Sequence, residues 1–93
     1  MLSIIKHIEK QVKSKGFKVI TYSEDVDAIT FGMGDIVTTI DRFNEVRKTC
    51  RFESRTVGTI NERSTRFRWH GYLTYNAVDT MIDMIEKFAK PKQ

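Results

Sequence analysis

The chain has 93 residues, of which 40% are hydrophobic and 30% are charged, and its net charge is +4. This composition is too hydrophobic for a disordered chain, and the length predicts a single compact domain over residues 1–93. No run of about 18 apolar residues occurs, which argues against a membrane span or a membrane partner. The one cysteine, Cys50, cannot form an intramolecular disulfide, so we expect a reducing, cytoplasmic setting and a buried thiol.

An amphipathic helix is predicted over residues 2–15. Leu2, Ile5, Ile8 and Val12 recur at steps of three or four, with charged residues between them. Gly16 follows the last apolar position and can adopt the left-handed conformation that ends a helix.

Three strands are predicted next, over residues 17–22, 28–32 and 36–43. The first is rich in β-branched and aromatic residues, and two glycines in the sequence GMGD form a turn between the second and third strands. In the third strand both faces carry apolar and polar side chains, so the sequence specifies its register less well.

Residues 46–75 are the most informative part of the chain, because apolar and basic side chains alternate on both sides of one turn. Side chains in a strand point alternately to opposite faces, so this pattern predicts a hairpin around Asn61 and Glu62. One face of the hairpin aligns Cys50 and Phe52 with Trp69 and Leu73. The other face collects the candidate binding residues Arg47, Arg51, Arg55, Arg66, Arg68, His70 and Tyr72.

The last helix is predicted to begin after Asn76, which is a good N-cap residue. Asp79 and Asp83 lie toward its N-terminal end, and Lys87 and Lys90 lie toward its C-terminal end, as the helix dipole favours. An apolar stripe runs along it, and Pro91 ends it.

These elements predict an α+β fold, in the order α-β-β-β-β-β-α, with an antiparallel sheet of about five strands. Both helices need an apolar surface to cover, so we expect them to pack on the same face of the sheet. The predicted core consists of Ile5, Ile8, Val12, Val19, Phe52, Phe67, Trp69, Leu73, Val78, Ile82, Ile85 and Phe88.

The charge is distributed unevenly along the chain. Residues 1–45 contain six basic and seven acidic residues, whereas residues 46–93 contain ten and five. Six of the seven basic residues in the range 46–70 are arginine, whose planar group suits phosphate and carboxylate. We therefore expect a small non-enzymatic binding module whose arginine-rich sheet face engages a polyanion, most concretely a nucleic acid.

Two alternatives stay open. In the first, the arginines are solvated and pair with Glu53 and Glu62; in the second, the face binds an acidic protein surface. In the second case, the protein would resemble the accessory proteins of phages or plasmids that bind and inhibit a host complex for defence or transcription.

The sequence gives no positive sign of catalysis. It contains no P-loop, HExxH, CxxC or GxSxG motif, and Asp25 and Asp27 lack the spacing of a calcium loop. A surface ion pair is the simplest role for His70 beside Glu53. We accordingly predict no enzymatic activity, no cofactor and no metal site.

Overall fold

A computed structural model of the protein describes residues 2–23, 25–56 and 68–89. It contains two α-helices and five strands, namely α1 (Ser3–Ser14), β1 (Lys18–Ser23), β2 (Ala28–Met33), β3 (Ile36–Asn44), β4 (Thr49–Thr56), β5 (Arg68–Thr74) and α2 (Val78–Ala89). The predicted α+β fold and its element order are confirmed.

The five strands form one sheet in the order β1-β2-β3-β4-β5, and every neighbouring pair is antiparallel. The sheet therefore follows the chain without a crossover, and β1 and β5 are its edge strands. Two bulges interrupt the pairing, one in β1 between Val19 and Thr21 and one in β3 between Asp41 and Asn44.

Both helices pack on the same face of the sheet, as predicted. Their apolar residues Ile5, Ile8 and Ile82 are fully buried in one cluster with the inward side chains of the sheet. The helices are also joined at their surfaces. The His7 ring Nε2 lies 2.9 Å from an Asp79 carboxylate oxygen, and the Lys15 ammonium pairs with Asp83.

Helix α1 ends at a glycine, as its sequence predicts. Gly16 has a φ of 94°, which side chains other than glycine rarely adopt. The Phe17 amide donates to the Val12 carbonyl and the Gly16 amide donates to the Lys13 carbonyl, which is the pattern of a Schellman motif. Val12 and Phe17 are both buried, so this motif also directs the chain into β1 from the core side.

The register of β4 and β5 confirms the pairing predicted from their alternation. Cys50 lies opposite Leu73, and Phe52 lies opposite Gly71. The Phe52 and Trp69 rings meet edge to face, with their centroids 4.7 Å apart. The predicted turn at 61 and 62 lies outside the described residues.

Several core predictions need correction. Phe88 is 61% exposed, because it lies near the end of α2 beside the edge strand β5 rather than over the sheet. Val19, Trp69 and Leu73 are only partly buried, since they too lie on edge strands. Phe67 lies outside the described residues. The central strands supply fully buried residues that the predicted core omitted, namely Ile29, Phe31 and Ile40.

The start of the last helix also differs from the prediction. A 3-10 turn, Tyr75–Ala77, precedes α2, and Asn76 lies inside this turn. Asn76 is therefore not the N-cap residue that its position in the sequence indicated.

Candidate functional site

The face of the sheet that neither helix covers is called the open face here. Residues that lie opposite each other in an antiparallel pair point to the same side of the sheet, so the strand register defines rows of side chains across this face. A first row runs Lys18, Gly32, Val37, Arg55, Arg68; a second runs Thr21, Thr30, Thr39, Glu53, His70; and a third contains Asp41, Arg51, Tyr72.

Five of the predicted binding residues lie on the open face. Arg55 faces Arg68, and Arg51 faces Tyr72 across the β4–β5 pair. His70 lies between them in the second row. The alternation of the sequence therefore locates these five side chains correctly, because β4 and β5 are regular strands with no bulge between them.

Arg47 is the exception among the described residues. It lies in the turn before β4, where alternation no longer determines direction. The side-chain oxygen of Asn44 accepts hydrogen bonds from the Val46 and Arg47 amides at 3.1 and 3.0 Å and so holds this turn. The prediction that Arg47 belongs to the sheet face is wrong. Arg66 lies outside the described residues.

Arg42 joins the open face although alternation places it on the helix side of β3. It has a φ of 52°, and the pairing of β3 with β4 shifts at this point. The resulting bulge turns the side chain over, so that its Nη1 lies 3.5 Å from the Tyr72 hydroxyl. No local sequence signal marks the bulge, because the left-handed residue is an arginine rather than a glycine.

Two carboxylates lie among the arginines and neutralise part of their charge. Glu53 accepts a hydrogen bond from Arg68 at 3.2 Å and lies 3.7 Å from Arg51. Arg51 also lies 3.6 Å from Asp41. The solvated alternative is thus partly realised, since Arg51 and Arg68 have carboxylate partners on the same face.

The carboxylates do not balance the whole face. Across the described part of the chain, Lys18, Arg42 and Arg55 form no ion pair. With Arg51 and Arg68, the open face carries five permanent cations against two carboxylates. Its net charge is about +3, concentrated toward β4 and β5.

Tyr72 presents the aromatic surface of this face. Its side chain is 66% exposed, and it lies between Arg51 and the guanidinium of Arg42. An exposed ring flanked by cations can stack on a planar group while the cations contact an anion attached to that group.

A small apolar patch lies on the part of the open face formed by β1, β2 and β3. A side chain at Gly32 would lie 3.1 Å from Ile20 Cδ1 and 3.5 Å from Val37 Cγ2, so these two side chains approach each other across the glycine. Next to them the hydroxyls of Thr30 and Thr39 are 2.9 Å apart. Lys18 lies opposite Gly32 here, so this end of the face carries one cation, against the three arginines of β4 and β5.

Several of the titratable side chains that could support catalysis have structural partners or are buried. Asp79 holds His7, and the carboxylate of Glu53 contacts arginines although His70 lies opposite it. Burial raises the pKa of the Cys50 thiol to about 11, which leaves little thiolate at neutral pH.

No protein-family model, curated protein or solved structure matches the chain. In the three described segments, no helix has the length and apolar character needed to span a membrane.

Proposed function

We propose that the protein is a non-enzymatic module that binds nucleic acid on its open face. The observation that carries the proposal is the uncompensated charge of this face, where five cations outnumber two carboxylates among the described residues and most of them lie near the exposed Tyr72 ring. Arginine contacts phosphate with a planar pair of donors, and an exposed ring can stack on a base.

An acidic protein surface is less well supported as the partner. The centre of a protein interface is usually apolar; arginine and aromatic residues are enriched there, but they are packed among apolar side chains and other charged residues are few. Here the apolar side chains of Ile20 and Val37 form a small patch on β1 and β3, and the cross-strand neighbours of Arg68 and Tyr72 are the charged Arg55 and Arg51. The part of the face that carries most of the charge therefore resembles a phosphate-binding surface more than the centre of a protein interface.

The solvated alternative makes a different prediction for the free cations. If that alternative were correct, most of the arginines would be expected to form ion pairs with carboxylates. Arg55 and Arg42 instead lie on the face without a carboxylate partner among the described residues. Glu62, the other acidic partner in that alternative, lies outside the described residues; among the described ones, neither Arg55 nor Arg42 has an ion pair to break before it contacts phosphate.

Fluorescence anisotropy with labelled single-stranded and duplex DNA and RNA tests the proposal at about 50 and 200 mM salt. We expect binding that weakens as salt rises, because each phosphate contact releases a counterion. A variant carrying Arg55→Gln and Arg68→Gln should lower the slope of log affinity against log salt by about 1.4 for a single strand, or about 0.7 per contact.

The matched control carries Lys6→Gln and Lys10→Gln, two exposed positions on α1 that lie on the other side of the sheet. It removes the same charge and should keep the wild-type slope. Absence of binding at the lower salt, or equal losses in the two variants, would overturn the proposal.

A further inference from the structure

A pocket of about 480 Å³ lies beside the open face, where β4 begins and β5 ends. Its volume falls in the range of small-ligand sites. Two cations, a hydroxyl, an aromatic ring and an amide line it, namely Arg47, Lys48, Thr74, Tyr75 and Asn76. The proposed function does not use this pocket.

The two cations of the pocket are held in place but not neutralised. The turn that carries Arg47 is fixed by the side chain of Asn44, and the Lys48 carbonyl accepts a 2.8 Å hydrogen bond from the Tyr75 amide. The Lys48 Nζ lies 5.9 Å from the centroid of the Tyr75 ring, within range of a cation–π contact. Neither cation forms an ion pair within 2–23, 25–56 and 68–89.

One acidic residue lies close by, and its carboxylate is already engaged. The Tyr75 hydroxyl donates a 2.6 Å hydrogen bond to Glu45. Partial burial and this hydrogen bond raise the pKa of the Tyr75 hydroxyl, so the ring stays neutral at physiological pH. The pocket thus combines two cations with one occupied carboxylate and favours an anion.

The register of the sheet connects the pocket to Tyr72. Thr74 follows Tyr72 by two positions in β5 and lies opposite Thr49, so it points to the same open face. Side chains two positions apart on one face of a strand stand about 7 Å apart. That distance is close to the length of one nucleotide in an extended single strand.

We propose that this pocket binds a backbone phosphate of a single-stranded nucleic acid whose neighbouring base stacks on Tyr72, an inference that rests on the proposed function. The phosphate lies between Arg47 and Lys48, with the Thr74 hydroxyl and the Asn76 amide as further donors. A single strand is required because the bases of a duplex are already stacked and paired, whereas Tyr72 needs an exposed base face.

The test compares two variants by anisotropy with a single strand of about 12 nucleotides and its duplex. Tyr72→Leu removes the ring and should weaken single-strand binding about tenfold or more, with no change in salt slope. Arg47→Gln with Lys48→Gln should instead lower the slope by about 1.4, since two phosphate contacts are lost. Wild-type protein should prefer the single strand.

Chemical-shift mapping with pyrophosphate gives a readout without nucleic acid. Amide signals of Lys48, Thr74 and Asn76 should shift in the wild type, and the shifts should disappear in the Arg47→Gln, Lys48→Gln variant. The double variant Lys6→Gln, Lys10→Gln should retain them, and thermal melts verify that each variant is folded.

The outcomes separate the two proposals. A wild-type protein that binds no nucleic acid overturns the proposed function and this inference with it. A protein that binds single strand and duplex equally, or whose Arg47→Gln, Lys48→Gln variant behaves like the α1 control, keeps the proposed function and overturns the pocket as its phosphate site.

Discussion

Glu53 provides the sharpest test of what the arginine face does, because it is the acidic residue that holds two arginines at once. Its carboxylate lies 3.2 Å from Arg68 and 3.7 Å from Arg51. A phosphate that binds either arginine must compete with this carboxylate. Replacing Glu53 by glutamine removes the competing charge and nearly preserves the side-chain shape, so nucleic-acid binding should become tighter rather than weaker.

The size of the effect follows from the two ion pairs. Each exposed pair contributes about 0.2 to 1 kcal/mol, so breaking both costs an incoming phosphate about 0.4 to 2 kcal/mol. At about 1.4 kcal/mol per factor of ten, Glu53→Gln should tighten binding about 2- to 30-fold at low salt. The extra net positive charge should also steepen the salt slope by about 0.7 for a single strand.

Anisotropy titrations of wild type and Glu53→Gln over a series of salt concentrations measure both quantities. Glu9→Gln is the matched control, because it also frees a cation, Lys13 at 3.3 Å, but on α1. It should change the affinity less than about twofold. If Glu53→Gln binds as the wild type does, or more weakly, then Arg51 and Arg68 do not contact the ligand and the open face is not the site.

Three further predictions concern the framework of the site. Gly71→Ala should leave the free energy of unfolding unchanged or raise it by up to about 1 kcal/mol, since the new Cβ would meet Phe52 at an ordinary 3.7 Å. Gly32→Ala should lower the free energy of unfolding by about 1 to 3 kcal/mol, because a backbone oxygen would lie 3.2 Å from the new Cβ. Urea denaturation measures both variants, and a Gly71→Ala variant less stable than the Gly32→Ala variant would contradict the packing described here. Because glycine accepts the left-handed φ, Arg42→Gly should keep the free energy of unfolding within about 1 kcal/mol of the wild-type value. It should bind nucleic acid more weakly, because a cation of the open face is lost. A large loss of stability would show that the side chain supports the fold. Cys50 should react with a thiol reagent at least about 100-fold more slowly in the native state than in denaturant at pH 8. Since its pKa is raised from 9.0 to about 11, its contribution to stability should be complete below pH 9 and fall as the pH rises toward 11.

The sequence predicts the fold well where hydrophobic period and strand alternation are regular. Alternation puts Cys50 and Leu73 on one face of the hairpin and Arg55 and Arg68 on the other, as the observed register has them, because a one-residue slip would bury the arginines. Gly16 likewise marks the end of α1 through its backbone conformation. In these places local preference and tertiary packing favour the same structure.

The sequence fails where direction depends on a backbone irregularity. Arg42 changes face at a bulge formed by a left-handed arginine, and Arg47 leaves the sheet in a turn fixed by the side chain of Asn44. The sequence also fails to predict how deeply a side chain is buried near an edge strand. The apolar period of α2 includes Phe88, but period cannot show that this part of the helix lies beyond the sheet.

The two irregular cations of the β3–β4 hairpin give one further argument for the site. Arg42 and Lys48 both adopt a left-handed φ, of 52° and 56°, where glycine would avoid a cost of about 1 to 2 kcal/mol per residue. Each contacts a tyrosine near the end of β5. Arg42 contacts the hydroxyl of Tyr72, and the Lys48 ammonium lies over the ring of Tyr75. Backbone strain of this kind is common at functional sites, where a side chain must point in an unfavourable direction. Both cations are therefore placed beside these tyrosines by irregularities of the backbone rather than by strand alternation, which is why alternation alone could not assign them to the site.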